Sequence, residues 1–304
     1  MKEHIIFFGT GEFGAAMLDA LFKSGYQIDL VITQPDRPVG RKQIMTPPAV
    51  KKLADSLSLK VEQPETLRGY EITATIPDLI VVCQYGLIIP KRILEHSKRS
   101  AINVHTSLLP KYRGASPIQS ALVNGEKETG ITIMLMDEKM DHGPILRQRT
   151  IEIDPLEKYQ DLRKKMCTPA AELLIETLND WLAGKIEPIV QNESEATLCK
   201  VFSRDDGKIN WNLSAFQIFN LYRGLDPWPG VWTTWNEKRI KLIEIEPANE
   251  TFEEGIINIS CGEIYIGCKV GSIKVKTLQI EGKKPLSAKD FISGHAYING
   301  NKLG

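Results

Sequence analysis

Asn103 and His105 stand two residues apart in the run Ile102-Asn103-Val104-His105. On a strand that spacing sends both side chains out of the same face. Both fall near the carboxyl end of the segment, the edge at which open α/β sheets bind their ligands. Asp141 lies in a later loop that leaves another apolar segment, just before the turn His142-Gly143-Pro144. An amide, an imidazole and a carboxylate at one sheet edge suit transfer of an acyl group to an amine. The amine attacks a carbonyl carbon and negative charge grows on the oxygen. Asn103 and His105 can each donate a hydrogen bond to that oxygen, and losing one such donor typically costs about 100- to 1000-fold in rate. Asp141 can orient the imidazole and help accept the proton that the nitrogen loses. Each residue alone has an ordinary explanation: an edge asparagine, a half-buried surface histidine, an aspartate in a turn. Their joint placement carries the reading.

The elements that must position this trio alternate along the first half of the chain. Strands are predicted over 4–9, 28–33, 79–83, 101–105, 131–136 and 145–153, and helices over 13–24, 49–57, 117–123, 157–166 and 169–183. Alternation of this kind predicts a Rossmann-like, doubly wound α/β domain built on a mainly parallel sheet. The last two helices are separated by Thr168 as an N-cap and Pro169 at a first helical position. Beyond residue 187 the character changes. One amphipathic helix over 213–221 precedes short apolar runs over 231–235, 240–246, 255–259, 263–266 and 272–280, the pattern of a small OB-like β-barrel domain. The expected division is a catalytic domain over 1–188, a linker over 189–206 and a β domain over 207–304. Trp228, Trp232 and Trp235 are read as part of its core.

Composition narrows the classes. A chain of 304 residues with 42% hydrophobic and 25% charged residues is an ordinary globular protein able to bury its own core. The 38 basic and 38 acidic side chains cancel, which speaks against a general nucleic-acid binder and leaves only local basic patches. Two such patches stand out: Arg37, Arg41 and Lys42 in one loop, and Lys269, Lys274, Lys276, Lys283, Lys284 and Lys289 in the β domain. The five cysteines are scattered without metal-ligand spacing and read as free thiols in a reducing compartment, and no metal site is expected. No stretch approaches the roughly 20 apolar residues of a membrane span, so a cytoplasmic protein without a membrane partner is expected.

Gly9-Thr10-Gly11-Glu12-Phe13-Gly14 matches the dinucleotide fingerprint, which keeps an NAD(P)-dependent oxidoreductase as an alternative. Against it, the second strand ends in Ile32-Thr33-Gln34 with no acidic residue for a ribose, and Glu12 sits where a phosphate would bind. A tight strand-to-helix turn is the simpler reading.

Asn103-Val104-His105 followed by Ser107-Leu108-Leu109-Pro110, with Asp141-His142-Gly143 after a later strand, resembles the active-site signature of the folate-dependent formyltransferases. The resemblance implies that Asn103, His105 and Asp141 are the catalytic set. It also implies that Ser107, Leu108, Leu109 and Pro110 bind the folate together with Gln84, Tyr85, Gly86, Leu87 and Ile88, and that 10-formyltetrahydrofolate is the co-substrate. Within that superfamily methionyl-tRNA, glycinamide ribonucleotide and amino sugars are the competing acceptors. The stretch from Gln34 to Arg41, then Thr46-Pro47-Pro48, Pro227-Trp228-Pro229-Gly230 and Gly282-Lys283-Lys284 resemble the subgroup that acts on initiator methionyl-tRNA. That likeness implies that Arg37, Arg41, Lys42, Lys283 and Lys284 contact the tRNA; a monomer is expected. An amino-sugar N-formyltransferase is the alternative within the same chemistry.

Overall fold

The computed structural model describes residues 3–40 and 42–304; Met1, Lys2 and Arg41, the last an expected tRNA contact, lie outside the described residues. The chain forms two compact units. Met1–Pro117, Glu128–Glu152 and Arg163–Lys200 make the first, and Ile118–Lys127, Ile153–Leu162 and Val201–Gly304 the second.

The chain opens with β1 (His4–Gly9), α1 (Glu12–Lys23) and β2 (Gln27–Ile32). A hairpin of β3 (Arg37–Val39) and β4 (Ile44–Thr46) follows, then α2 (Ala49–Ser56), β5 (Val61–Glu62) and β6 (Leu79–Cys83). After α3 (Lys91–Leu94) come β7 (Ala101–His105), the two-residue β8 (Arg113–Gly114) and α4 (Pro117–Val123). The run continues with β9 (Glu128–Leu135), β10 (Ile145–Glu152), α5 (Tyr159–Leu182) and β11 (Leu198–Cys199). Seven strands form one sheet in the order β10-β9-β7-β6-β1-β2-β5. The five from β7 to β5 are parallel, and β9 and β10 join antiparallel. Ile5, Ile6, Phe7 and Phe8 are wholly buried, as a parallel strand covered on both faces requires. Strand addition reverses at β1, which has β2 on one side and β6 on the other, so a crevice opens at the carboxyl ends of β1 and β6.

Packing explains two of the three glycines there. A Cβ on Gly9 would meet the Phe7 ring at 2.6 Å and the Cys83 carbonyl oxygen at 2.9 Å, and one on Gly14 would meet the same oxygen at 3.0 Å. Glu12, in the first turn of α1, is ion-paired with Arg163.

Two expectations need correction. The basic loop is the β3–β4 hairpin, with Arg37 opposite Thr46 and Val39 opposite Ile44. The two helices expected on either side of Thr168 are one continuous α5 with Pro169 inside it. Proline there removes one backbone hydrogen bond. Met166, Ala170, Leu173, Leu174 and Leu178 nonetheless form an unbroken buried stripe, and Arg149 donates to the Pro169 carbonyl at 3.2 Å. Burial of that stripe outweighs the local stop signal.

The second unit carries α6 (Ala215–Leu225), β12 (Val231–Trp235), β13 (Lys238–Ala248), β14 (Ile257–Ser260), β15 (Glu263–Gly267), β16 (Ser272–Ile280), β17 (Leu286–Ser287) and α7 (Ala288–His295). They form an antiparallel sheet ordered β12-β13-β16-β15-β14, with β17 on β16. Register shifts at Leu242/Glu244 and Glu244/Ile245 mark irregularities of the kind that bend a strand. The sheet encloses a core of Trp211, Phe219, Tyr222, Trp235, Ile264 and Phe291. Trp232 and Trp235 are buried as expected, but Trp228 is 57% exposed, because Pro227 and Pro229 hold it in a surface turn outside the strands.

Helix α6 starts at a capping box. Ser214 Oγ accepts from the Gln217 amide at 3.3 Å, and the Gln217 side chain accepts from the Ser214 amide at 2.9 Å. Ser214→Ala is expected to lower stability by about 1 kcal/mol, read as a fall of roughly 2–4 °C in thermal midpoint.

Candidate active site

Strand β7 delivers Asn103 and His105 to the carboxyl edge of the large sheet, between β6 and β9. Asp141 reaches them from the loop between β9 and β10. Asn103 Nδ2 donates to Asp141 Oδ1 at 3.3 Å, and His105 Nδ1 lies 3.6 Å from Asp141 Oδ2. The Gly114 amide of β8 donates to the same Oδ2 at 2.8 Å. His105 Nε2 is 2.9 Å from the Tyr112 carbonyl. A carbonyl only accepts, so Nε2 carries the hydrogen and Nδ1 is the nitrogen turned to the carboxylate. Asp141 adopts a left-handed backbone with φ +49°, uncommon for a residue other than glycine. The three polar residues therefore converge, with His105 and Asp141 each held by a main-chain partner.

Behind Asp141 stands a layer that sequence reasoning missed. Gln191 Nε2 donates to the Asp141 carbonyl at 2.9 Å and to the Gly143 carbonyl at 2.8 Å. Its Oε1 accepts from Arg113 Nε at 3.0 Å and Nη2 at 2.8 Å. Arg113 is 6% exposed and its outer edge meets the Glu193 carboxylate at 2.6 and 3.1 Å. That guanidinium holds the Glu193 carboxyl below the usual carboxylate range. The polar stretch after residue 190 gave no periodic signal and read as linker. In the fold it adds β11 to β8 in parallel, with the Arg113 amide on the Thr197 carbonyl and the Tyr112 amide on the Thr197 hydroxyl.

The residues expected at the folate also reach this edge. Ser107 and Leu109 are buried, and Thr132 bonds to both: its hydroxyl donates to the Ser107 carbonyl at 2.6 Å and accepts from the Leu109 amide at 3.2 Å. Gln148 Nε2 donates to the Leu109 carbonyl at 2.9 Å, and a cis peptide joins Leu109 to Pro110. Leu108 is half-buried, and a Cβ on Gly130 would strike it. The loop after β6 is fixed through the Tyr85 carbonyl, which accepts from Thr10 Oγ1 at 3.0 Å and Gln34 Nε2 at 3.2 Å. Tyr85 itself is buried edge-on against Phe8, and burial pushes its phenol up to about 12. Gln84 and Gly86 take left-handed backbones, while Leu87 and Ile88 face solvent, Ile88 at 88% exposure. The loop thus presents exposed aliphatic side chains on a main chain pinned at Tyr85.

Of the residues expected at tRNA, Arg37 and Lys42 are exposed in the hairpin and Lys283 and Lys284 in the turn between β16 and β17. The hairpin base is tied down: Asp36 binds Lys51 at 3.0 Å and Gln63 at 2.8 Å, and the Gln63 bond is the main cause of the lowered Asp36 pKa. In the β domain Lys274 pairs with Glu263 and Lys276 with Glu246, so that patch is partly neutralised. Among the described residues, no group of three or more His, Cys, Asp or Glu side chains is placed to hold a metal ion, and no helix is long and apolar enough to cross a membrane.

Residues 1–178 match the family described as formyl transferase, and residues 202–296 match the formyl transferase C-terminal domain. The chain belongs to the formyl transferase family. Relatives of the same length share this membership. The chain is 43% identical to the methionyl-tRNA formyltransferase of Thermodesulfovibrio yellowstonii over 304 residues, covering 99% of this chain and 98% of the relative. It is 44% identical to that of Caldicellulosiruptor saccharolyticus over 310 residues, covering 98% and 99%. Among solved structures the N-formyltransferase from Helicobacter canadensis, in complex with folinic acid and dTDP-3-aminofucose, superposes with a TM-score of 0.68 at 22% identity, covering 90% of this chain and 99% of that one. HypX from Aquifex aeolicus in complex with tetrahydrofolic acid gives 0.63 at 15% identity, covering 96% of this chain and 47% of that one. At these identities the structural likeness speaks for the formyl transferase fold alone.

Proposed function

We propose that the chain transfers the formyl group of 10-formyltetrahydrofolate to the amino group of methionyl initiator tRNA, supplying formyl-methionyl-tRNA for translation initiation. The observation that carries this reading is the meeting of Asn103 and His105 on the Asp141 carboxylate, at 3.3 and 3.6 Å, at the carboxyl edge of the sheet. Full-length likeness to methionyl-tRNA formyltransferases at 43% and 44% identity supports the acceptor.

The formyl donor supplies a carbonyl carbon bonded to nitrogen. A new carbon–nitrogen bond forms to the methionyl amine, the bond to the folate nitrogen breaks, and one proton passes from the amine to the leaving nitrogen. The Asn103 amide has two hydrogens: one is held by Asp141 and the other remains for the formyl oxygen, whose charge grows as the amine adds. His105 Nε2 supplies the second donor by exchanging the Tyr112 carbonyl for the formyl oxygen, with Nδ1 still turned to Asp141. The Asp141 carboxylate takes the amine proton in transit. Ser107, Leu108, Leu109, Pro110 and the loop from Gln84 through Tyr85, Gly86 and Leu87 to Ile88 seat the folate. The hairpin with Arg37, Arg41 and Lys42 engages the acceptor end of the tRNA, and Lys283 and Lys284 contribute from the C-terminal domain. The same reading makes the protein a cytoplasmic monomer that needs no metal.

A comparative assay with one folate donor tests it. Formyl-methionine is expected with charged initiator tRNA, and no product with a nucleotide-linked amino sugar. The reverse outcome would give the chain to the amino-sugar enzymes, and tight NAD(P) binding by calorimetry without formyl transfer would return the oxidoreductase reading. Arg41→Ala is expected to raise the KM for tRNA about tenfold at physiological salt, with a shallower salt dependence, as removal of a phosphate contact does. Full activity of that variant on tRNA would remove the hairpin from the acceptor site.

A further inference from the structure

We infer that Gln191 is a positioning residue for Asp141, with Arg113 as the fork that sets its orientation; the inference rests on the catalytic role proposed for Asp141. The amide of Gln191 has no freedom to flip. A guanidinium only donates, so the Gln191 oxygen must face Arg113, and carbonyls only accept, so its nitrogen must face Asp141 and Gly143. Both hydrogens of that nitrogen are used, and both residues are buried, where an unmet polar group is costly. The consequence falls on the one non-glycine residue of this loop with a left-handed backbone. Gln191 clasps the main chain of Asp141 at its carbonyl, while the Gly114 amide holds its carboxylate at 2.8 Å. Arg113 and Gly114 are the two residues of β8. One short strand therefore pins Asp141 from both ends, by a side chain acting through Gln191 and by its own backbone. The stretch that reads as linker is thereby part of the catalytic apparatus.

Gln191→Glu keeps an acceptor for Arg113 and replaces the donor with an oxygen facing two carbonyls, so it tests the clasp with the least disturbance of the guanidinium. It is expected to lower kcat about 10- to 100-fold, leave the KM for formyl-folate within about twofold, and alter the pH profile of kcat. In an Asp141→Asn background the same change is expected to cost less than about twofold, because Gln191 acts through that carboxylate. Hydrogen exchange of the Gly114 amide is expected to quicken about tenfold in Gln191→Glu, since the acceptor of that amide moves. Gln191→Leu, measured in the same ways, serves if Gln191→Glu fails to fold. Equal loss in both backgrounds, or an unchanged Gly114 amide, would overturn the inference. A wild-type chain that transfers no formyl group would instead sink the proposed function, and the Gly114 exchange would still decide the positioning role.

Discussion

Asp141→Asn is expected to lower turnover about 100- to 1000-fold, measured as kcat with saturating formyl-folate. Binding of formyl-folate by calorimetry should stay within about twofold. The reason is a matter of counting acceptors. One carboxylate oxygen of Asp141 takes the Gly114 amide and the other takes Asn103 Nδ2. An asparagine has a single side-chain oxygen. If it keeps Gly114, its NH2 faces the NH2 of Asn103, and if it keeps Asn103, its NH2 faces the Gly114 N–H. Either orientation sets donor against donor, displaces Asn103 or the Gly114 amide, and leaves His105 Nδ1 without its carboxylate. The group proposed to carry the amine proton is lost in the same step. Turnover within tenfold of wild type would remove Asp141 from the chemistry.

Gly143→Ala is expected to be severely damaging although it alters no functional group. An added Cβ would lie 2.0 Å from the Leu135 carbonyl oxygen and 2.9 Å from its carbon. These are backbone atoms of β9, which is fixed between β7 and β10, so no flexible side chain can give way. Relief requires the turn after Asp141 to shift, which pulls the Gly143 carbonyl from Gln191. A loss of about 2–4 kcal/mol is expected, seen as a lower denaturant midpoint with unchanged slope, together with at least a tenfold fall in kcat. An alanine variant with wild-type stability and rate would mean that the turn is not held against β9.

Much of the first unit could be read from the chain because its strands are locally unambiguous. Leu79–Cys83 is apolar at every position, and burial on both faces is the outcome that pattern requires. The spacing of Asn103 and His105 placed both on one strand edge for the same reason. What could not be read depends on partners far along the chain. Nothing around Pro169 foretells that Met166, Leu173 and Leu178 bury one continuous stripe. Gln191 lies 50 residues from Asp141 and 78 from Arg113, in a segment without periodicity, so its role exists only once β11 has joined β8. The hairpin was missed because Arg37–Val39 and Ile44–Thr46 are exposed strands of three residues, too short for alternation to register. Trp228 shows the opposite error: a large aromatic was assigned to the interior by type, and two flanking prolines keep it outside.

Gly9 and Gly14 carry a last consequence. Because neither has a side chain, α1 rests on the Cys83 carbonyl with backbone against backbone. A single methyl group at either position would act as a wedge, levering the turn outward and taking with it the Thr10 hydroxyl that grips Tyr85. The course of the loop after β6 is thus governed by atoms that are missing, and a fingerprint usually taken as a sign of phosphate recognition serves here as a spacer.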